Sequence, residues 1–249
     1  MTGATISAVI VTRDRPELLA DALGSIERQT WAPLEIRIGD DGSPPLAELP
    51  AMAGLEMTVV HPHAGRAAIA RNEAARGARG DVLAFLDDDD RWRPEHLAGL
   101  AAAFADPAVG FAWRDCEVIR ETIGPNGSRI DGERLVLARD WDAGMMRDND
   151  YLPPSGWGVR RSLFEKLGGF DESFAFSEDW DFALRAAVLT RPHRVAGVTV
   201  EVRMRESGNA SGDFGAERRE CLRRLAERHG LPPLEPRTFW EVALHAARW

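Results

Sequence analysis

Four consecutive aspartates, Asp87–Asp90, directly follow an apolar run of strand length, Val82–Leu86. Crowding carboxylates at one point raises their electrostatic energy, so such a cluster in a folded protein favours a bound cation. Carboxylate oxygens suit a hard divalent ion such as Mn²⁺ or Mg²⁺, which in turn binds the phosphate oxygens of a nucleotide. The alternative is an acidic loop that is simply solvated. The chemistry that this motif would support is metal-assisted binding of a diphosphate.

The elements that must position these carboxylates alternate between strand and helix. Continuous apolar runs predict strands, and apolar residues at helical spacing predict the helices between them. The predicted strands are Ile6–Thr12, Leu34–Gly39, Met57–Val60 and Val82–Leu86, and the predicted helices include one that begins at Pro16 and one over Arg66–Arg79. This alternation predicts a parallel sheet with right-handed crossovers. The segments Thr12–Arg15, Asp40–Asp41 and Asp87–Asp90 should then meet at the carboxyl edge of the sheet, where open α/β sheets bind ligands.

The pattern changes after residue 107. Beyond it the predicted strands include Val109–Trp113, Glu117–Ile123, Arg134–Ala138 and Val195–Met204, and the predicted tail helices are Glu217–His229 and Thr238–Ala247. Pro232 and Pro233 separate the two tail helices because proline breaks a helix interior. This order predicts a nucleotide-binding half, a mixed half for a second substrate and a helical tail.

Bulk composition argues against several classes of protein. The 249 residues carry a formal net charge of −9, and non-specific nucleic-acid binding depends on basic surface. Cys116 and Cys221 are too few and too far apart for a disulfide framework or a zinc site. No leader peptide and no apolar run long enough to span a bilayer is visible, which predicts a cytoplasmic protein.

The order of several short motifs resembles that of family 2 glycosyltransferases, which have the GT-A fold. The motifs are Val9–Arg15, Ser25–Thr30, Gly39–Ser43, Gly65, Ala70–Asn72, Phe85–Asp90, Gly168–Glu172 and Glu178–Asp181. Each is weak alone, but their common order and spacing make the resemblance specific. It implies a single α/β domain of GT-A fold with a Rossmann-like, mostly parallel sheet. Its parts would be a nucleotide-sugar-binding half (residues 1–107), a mixed acceptor-binding half (residues 108–212) and a C-terminal helical tail (residues 213–249).

The resemblance also implies roles for residues on the donor side. Thr12 and Asp14 would lie where the first loop of the family meets the base. Asp41 would accept a hydrogen bond from the uracil ring nitrogen. Arg71 would lie near the base and the phosphates, where a guanidinium is suitable because it donates in a fixed fork.

Within the aspartate run the resemblance separates the carboxylates by role. Asp89 would bind the metal ion, Mn²⁺ or Mg²⁺, and Asp87 or Asp88 would contact the ribose and a metal-bound water. The ion would bridge diphosphate oxygens and stabilise the departing nucleoside diphosphate. Asp90 is expected to cap the following turn rather than to bind the ion.

Glu178 and Asp179 resemble the acidic pair that the family carries at the start of a helix in the acceptor half. A hydroxyl is a poor nucleophile until a base accepts its proton, and Asp179 is the predicted base. Glu178 would orient Asp179 or an acceptor hydroxyl, and in-line attack would invert the anomeric carbon. Carboxylates also stabilise a helix N-terminus by about 0.3–1 kcal/mol, and the two roles are compatible.

The sequence departs from the family at two positions. Family members often carry a histidine shortly after the last strand, but residues 203–209 contain none. Arg205 or Glu206 would have to replace it in completing the metal site. The usual aromatic residue of the first loop is also missing, and Arg13 stands in its place.

Other polar and aromatic residues of the second half are expected to be structural. The aspartates predicted to form a solvated loop rather than a second site are Asp140, Asp142, Asp148 and Asp150. The aromatic residues predicted to pack in the core, with stacking on an acceptor sugar as the alternative, are Trp141, Tyr151 and Trp157.

Together these features predict a metal-dependent inverting glycosyltransferase that moves a sugar from a nucleotide diphosphate sugar to an acceptor hydroxyl. Asp41 favours a UDP-sugar as donor, and the acceptor would be a carbohydrate or a glycosylated small molecule or lipid. Two other functions stay open. One is a sugar-nucleotide nucleotidyltransferase, although the loop Thr12–Glu17 lacks the glycine and lysine that such enzymes need. The other is a non-catalytic nucleotide- or carbohydrate-binding protein of the same fold.

The tail has an apolar component around Trp240, Val242, Leu244 and Trp249. Docking on the core of the same chain is the simplest use of these side chains. The alternatives are contact with a membrane-borne acceptor at the inner face of the membrane, or with a second copy in a homodimer.

Overall fold

The computed structural model describes residues 3–42, 49, 52, 54–124, 129–205 and 212–248. Within these ranges one sheet contains β1 (Ile6–Thr12), β2 (Glu35–Asp40), β3 (Met57–Val60), β4 (Val82–Asp87), β5 (Arg91–Trp92), β6 (Phe111–Ile123), β7 (Arg129–Leu137), β8 (Trp157–Arg160) and β9 (His193–Arg205). The helices are α1 (Pro16–Glu27), α2 (Ala67–Arg76), α3 (His96–Ala103), α4 (Arg161–Leu167), α5 (Glu178–Leu189), α6 (Ala216–His229) and α7 (Phe239–Arg248). Short 3₁₀ turns at Met145–Arg147 and Pro154–Gly156 precede β8. The strand order is β3-β2-β1-β4-β8-β6-β9-β5, and β7 pairs with β6.

The first half of the sheet is parallel, as predicted. β1 pairs with β2 and with β4, and β2 pairs with β3, all in parallel. In this register Thr12 lies beside Asp40, and Val11 lies beside Asp87. The polar residues that follow β1, β2 and β4 therefore meet at one edge. α2 ends at Arg76 rather than at the predicted Arg79, because Gly77, a poor helix former, follows directly.

The second half of the sheet is joined to the first half by β8. This strand pairs antiparallel with both β4 and β6, so the sheet continues without interruption from one half of the chain to the other. β6 is a single strand of 13 residues, where the sequence predicts two separate strands. Its pairing with β9 shifts register around Arg114–Cys116, where the polar residues Arg114 and Asp115 lie.

An aromatic cluster holds α5 against the sheet. Phe182 of α5 lies 4.9 Å from Phe170 and 6.0 Å from Trp157, measured between ring centroids. Phe85 of β4 contacts Phe170 edge-on at 5.4 Å. All four rings are fully buried, as is Tyr151, so Trp157 and Tyr151 pack in the core as predicted. Because aromatic pairs of this geometry add to the energy of burial, the cluster fixes α5 relative to the end of β4.

The tail docks on the core of its own chain. α7 packs against β7, and Trp240 and Val242 are buried. The Arg120 guanidinium lies over the Trp240 ring at 4.5 Å, and Arg139 Nη1 donates to the carbonyl oxygen of Ala246 at 3.1 Å. Trp249 lies outside the described residues. In the described part of the chain, no helix has the length and apolar character needed to cross a membrane.

Candidate active site

The carboxyl edge of the parallel strands opens on a cavity of about 510 Å³. The predicted site residues that line this cavity are Thr12, Asp41, Arg71, Asp87, Asp88, Asp89, Glu178 and Asp179. Residues predicted for the donor and for the acceptor side are therefore brought into one space. Asp14 is the exception, because the described wall of the cavity does not include it. Its half-exposed side chain lies 4.0 Å from Arg13.

The aspartate run is held by hydroxyl and guanidinium groups. Thr12 Oγ1 donates to Asp88 Oδ2 at 2.8 Å. Arg15 Nη1 lies 3.3 Å from Asp88 Oδ1 and 3.3 Å from Asp89 Oδ2. Arg205 Nη2 also donates to Asp89 Oδ2, at 2.6 Å. Arg205, one of the two residues expected to replace the family histidine, thus contacts the predicted metal-binding carboxylate, whereas Glu206 lies outside the described residues.

Asp90 has a structural position that differs from the expected turn cap. It is buried, and its Oδ2 accepts a hydrogen bond from Ser155 Oγ at 2.5 Å. Its Oδ1 accepts the backbone N–H of Arg203 at 3.0 Å. Asp90 therefore joins the end of β4 to β9 and to the turn before β8. The expectation failed because these partners are far away in sequence.

The arginines do not offset the whole negative charge of the run. Burial and the neighbouring Asp89 raise the pKa of Asp88 to about 6, against the opposing effects of Thr12 and Arg15. Burial and Asp87 likewise raise the pKa of Asp89. A carboxylate whose pKa is raised in this way is stabilised by an additional cation nearby.

Asp88 and Asp89 fit a divalent ion in their donor chemistry, because hard oxygen ligands suit Mn²⁺ and Mg²⁺. Among the described residues, however, no group of three or more His, Cys, Asp or Glu side chains could hold a metal ion. An ion here would need further oxygen ligands from outside these side chains. Diphosphate oxygens and water are such ligands.

Arg71 connects the aspartate run to α5. It is only 5% exposed, and its Nη2 donates to Asp87 Oδ1 at 2.6 Å while its Nη1 donates to Glu178 Oε1 at 2.5 Å. Burial alone would lower the pKa of Arg71, but Asp87 and Glu178 raise it above its ordinary value. The guanidinium is therefore a permanent positive charge between the predicted donor and acceptor sides.

The N-terminus of α5 presents Glu178 and Asp179 to the cavity. Ser177, directly before the helix, has φ +64°, a left-handed conformation that costs a non-glycine residue energy and is enriched at functional sites. Asp179 Oδ1 accepts the N–H of Trp180 at 2.8 Å. Burial and the adjacent Asp179 raise the pKa of Glu178 to about 7, and burial raises the pKa of Asp179. Proton acceptors of raised pKa are what a general base requires.

Asp41 is buried at the end of β2. Its backbone N–H donates to the carbonyl oxygen of Thr12 at 2.9 Å, which ties it to the end of β1. Its Oδ1 accepts the N–H of Ala64 at 2.6 Å. Its carboxylate keeps further acceptor capacity for a hydrogen-bond donor in the cavity.

The cavity also includes residues that the sequence analysis did not assign to it. From the loop before the Pro154–Gly156 turn these are Asp148, Asn149 and Asp150, and from the tail they include Arg218 and Arg237. The prediction of a merely solvated loop is wrong for Asp150, which is partly buried, and whose pKa is raised well above the ordinary value by burial and by Asp179. The loop turns inward because Trp180 Nε1 donates to the carbonyl oxygen of Met146 at 2.8 Å. No local sequence pattern signals that contact.

Known proteins are similar in sequence to this chain over most of its length. Residues 7–168 match the profile described as Glycosyl transferase family 2. "Uncharacterized glycosyltransferase YwdF" of Bacillus subtilis is 36% identical over 94% of this chain and 87% of its own length. "Validoxylamine A glucosyltransferase" of Streptomyces hygroscopicus subsp. limoneus is 35% identical over 97% of this chain, which spans 61% of that protein.

Solved structures share the fold. TarS from S. aureus, in complex with UDP-GlcNAc, superposes with a TM-score of 0.61 at 18% identity, covering 90% of this chain and 66% of that one. A mannosyltransferase from Pyrobaculum calidifontis, in complex with GDP-Man and Mn²⁺, also gives 0.61 at 19% identity, covering 99% of this chain and 69% of that one. The mixed α/β architecture is therefore of the GT-A type, as predicted. By its family match and its relatives, the chain belongs to glycosyl transferase family 2.

Proposed function

We propose that this protein is a metal-dependent inverting glycosyltransferase that moves a sugar from a UDP-sugar to an acceptor hydroxyl. The observation that carries this proposal is the cavity in which the aspartate run faces Glu178 and Asp179, with Arg71 between them. A glycosyltransferase needs a site for a nucleotide diphosphate beside a base for the acceptor. Both sets of groups line this one space.

The donor would lie along the edge formed by β1, β2 and β4. Asp41 would bind the uracil ring N–H through Oδ2, with Thr12 and Asp14 near the base and Arg71 near the phosphates. The solved relatives bind different donors, UDP-GlcNAc in one and GDP-Man in the other. The preference for UDP therefore depends on Asp41.

A divalent ion, Mn²⁺ or Mg²⁺, would supply positive charge that stabilises the departing nucleoside diphosphate. Asp89 would hold it, and Asp87 or Asp88 would bind the ribose and a water of the ion. The raised pKa values of Asp88 and Asp89 support this assignment, because burial and the neighbouring carboxylates outweigh the arginines that contact them. The relative that contains Mn²⁺ has the same fold.

Asp179 would act as the general base. Its carboxylate would accept the proton of the acceptor hydroxyl while that oxygen forms a bond to the anomeric carbon. The bond from the anomeric carbon to the diphosphate breaks, and its electron pair leaves with the nucleoside diphosphate. Attack from the face opposite the leaving group inverts the anomeric centre. Glu178, held by Arg71, would keep the start of α5 in place for this step.

The remaining assignments concern the organisation and surroundings of the chain. Residues 1–107 would bind the nucleotide sugar, residues 108–212 would bind the acceptor, and residues 213–249 would be the helical tail. The acceptor would be a carbohydrate or a glycosylated small molecule or lipid. A homodimer and a cytoplasmic location peripheral to the membrane also belong to this proposal.

The test is release of nucleoside diphosphate from a panel of UDP-, GDP- and dTDP-sugars, with Mn²⁺, with Mg²⁺ and with EDTA. We expect release from a UDP-sugar that EDTA abolishes, acceleration by an acceptor, and a product of inverted anomeric configuration by NMR. Diphosphate release from UTP and a sugar phosphate would instead identify a nucleotidyltransferase. Binding of nucleotide sugars without turnover under all conditions would identify a non-catalytic protein.

A further inference from the structure

The C-terminal segment forms one wall of the candidate active site. The tail residues that line the cavity are Arg218, Leu222, Glu235, Arg237, Phe239 and Val242. Arg218 Nη2 donates to the carbonyl oxygen of Arg237 at 2.7 Å, which ties the connector between α6 and α7 to α6. The family match ends at residue 168, so this wall lies beyond the part of the chain that the profile covers. It faces the loop that contains Asn149 and Asp150.

Asn149 is the point of contact between this wall and the loop. It lines the cavity, is only 2% exposed, and accepts a hydrogen bond on Oδ1 from Arg237 Nη1 at 2.5 Å. Its backbone is held too, because its N–H donates to the carbonyl oxygen of Met145 at 2.9 Å. A guanidinium only donates, so the amide oxygen must face Arg237 and the amide nitrogen must point elsewhere.

The amide nitrogen of Asn149 has no hydrogen-bond partner among the described residues, although it is buried. An unsatisfied buried donor costs about 1–3 kcal/mol, so native proteins rarely keep one without a partner. A group that enters the cavity with an acceptor oxygen would supply that partner. Because Arg237 holds the amide oxygen, the N–H groups are the part of the side chain left for such a partner.

The surroundings of Asn149 indicate the class of ligand. The cavity wall that contains Asn149 also contains the carboxyl groups of Asp148, Asp150, Glu178, Asp179 and Glu235. These outnumber the guanidinium groups of Arg218 and Arg237 in the same wall, which disfavours an anionic ligand on this side. Hydroxyl groups suit this set, because their oxygens accept from Asn149 and their hydrogens donate to carboxylates. Phe239 gives the same wall an apolar surface for the C–H face of a ring.

We propose that Asn149 binds a hydroxyl oxygen of an uncharged, polyhydroxylated acceptor, a sugar ring or another cyclic polyol, and that Arg237 is the positioning residue that orients it. The inference rests on the proposed glycosyltransferase function and adds the substrate class of the acceptor side. It assigns the C-terminal segment a part in acceptor recognition through the contact between Arg237 and Asn149.

The experiment measures steady-state kinetics with Mn²⁺ and the best UDP-sugar donor. The acceptor probes are p-nitrophenyl pyranosides of glucose, galactose, mannose and N-acetylglucosamine, together with myo-inositol. On the probe with the highest kcat/KM, we expect N149A to raise the acceptor KM about tenfold, the effect of losing one hydrogen bond. The donor KM, and the donor hydrolysis rate without acceptor, should stay within about twofold, because the amide contacts only the acceptor.

Two further variants separate binding from positioning. N149D keeps an oxygen for Arg237 but has no N–H, so it should not restore the acceptor KM. R237M should raise the acceptor KM as N149A does, and R237K should restore much of it because an ammonium still donates to the amide oxygen. An acceptor KM for N149D equal to that of the wild type would overturn the role of the amide N–H.

Arg147→Met is the matched control. Arg147 Nη2 donates to the carbonyl oxygen of Gly230 at 2.7 Å, so it also ties this loop to the tail, but it lies outside the cavity wall. R147M should leave the acceptor KM unchanged, and an equal rise would show that general loosening of the tail causes the effect. Wild-type turnover with no probe accepted would contradict the polyol class alone. Absence of turnover with every donor would overturn the proposed function and this inference with it.

Discussion

The first turn of α5 carries carboxylates in two different electrostatic settings, one at the cavity and one at the contact with the tail. Glu178 and Asp179 face the cavity, and burial raises the pKa of both, that of Glu178 to about 7. Asp181, in the same turn, is fully buried and contacts the tail. Its partners are Arg185 at 2.7 Å, Arg228 at 2.9 Å and His229 at 2.9 Å. Burial would raise its pKa too, but these hydrogen bonds and charges lower it to about 2.

Burial alone therefore does not identify a functional carboxylate. Asp181 has enough cationic partners to be a stable anion, and it joins α5 to α6. The cavity carboxylates have too few, because Arg71 is shared between Glu178 and Asp87. Perturbed groups of this kind cluster at functional sites, where a substrate or ion completes the compensation. One helix thus carries both a carboxylate that cations compensate and carboxylates that they compensate only in part.

The largest expected effect is on the transfer rate, at the carboxylates that line the cavity. Asp179→Asn should lower the transfer rate by about 10²–10⁴-fold, the usual contribution of a general base. The stabilisation of the protein by UDP in a thermal-shift titration should stay unchanged, because the amide keeps the shape of the carboxyl group. Asp181→Asn, at the contact with the tail, serves as the control and should keep its turnover per folded molecule. Turnover of the Asp179 variant near that of the wild type would remove Asp179 from the role of base.

The second effect concerns the cation between the two carboxylates of the cavity. Arg71→Met should lower the free energy of unfolding by about 3–5 kcal/mol, because it leaves the buried Glu178 and the partly buried Asp87 without their cation. Urea denaturation measures this loss. The double variant with Glu178→Gln should recover part of it, since one of the two uncompensated charges is then removed. Equal stability of the single and double variants would show that Arg71 and Glu178 are not energetically coupled.

A smaller loss of stability is expected where Asp181 contacts the tail. Asp181→Asn should lower the free energy of unfolding by about 2 kcal/mol, because hydrogen bonds to charged groups contribute about 1.5–3 kcal/mol each and the amide keeps some of them. Glu220→Gln on the exposed side of α6 is the matched control. Glu220 pairs with Arg223 in solvent, so its removal should have no measurable effect in the same denaturation experiment.

The smallest expected effect is a pH dependence of stability that differs between Glu178 and Asp181. Glu178 has a pKa of about 7 in the folded protein against an ordinary 4.5, so its contribution to stability should fall as pH rises from 4.5 to 7. Asp181 has a pKa of about 2 against an ordinary 3.8, so its contribution should fall as pH drops from 3.8 to 2. The difference in unfolding free energy between the wild type and E178Q, or D181N, measured without metal and nucleotide, should change only in the corresponding window. A change in the same window for both variants would contradict the comparison.

The parallel half of the fold was predictable because its signals are local. Strands buried on both faces are continuous apolar runs, and the turns after them are polar, so Thr12, Asp41 and Asp87–Asp89 could be assigned to one edge. The second half gave weaker signals. β6 was predicted as two strands because Arg114 and Asp115 interrupt its apolar pattern. In the structure both side chains have polar partners from β9. Arg114 Nε donates to Thr199 Oγ1 at 3.0 Å, and Arg194 Nε donates to Asp115 Oδ1 at 2.7 Å.

The sequence alone identified the family and the residue types for the proposed chemistry, which are the aspartate run after β4 and the acidic pair at the start of α5. Tertiary structure alone decided how those charges are balanced. It placed Arg71 between Asp87 and Glu178, turned Asp90 into a buried structural tie, and brought Asn149 and Arg237 to the cavity. The two kinds of feature depend on contacts over different distances along the chain. Strand and helix patterns repeat over a few residues, whereas the pKa of a carboxyl group depends on burial and on partners that folding brings from distant parts of the chain.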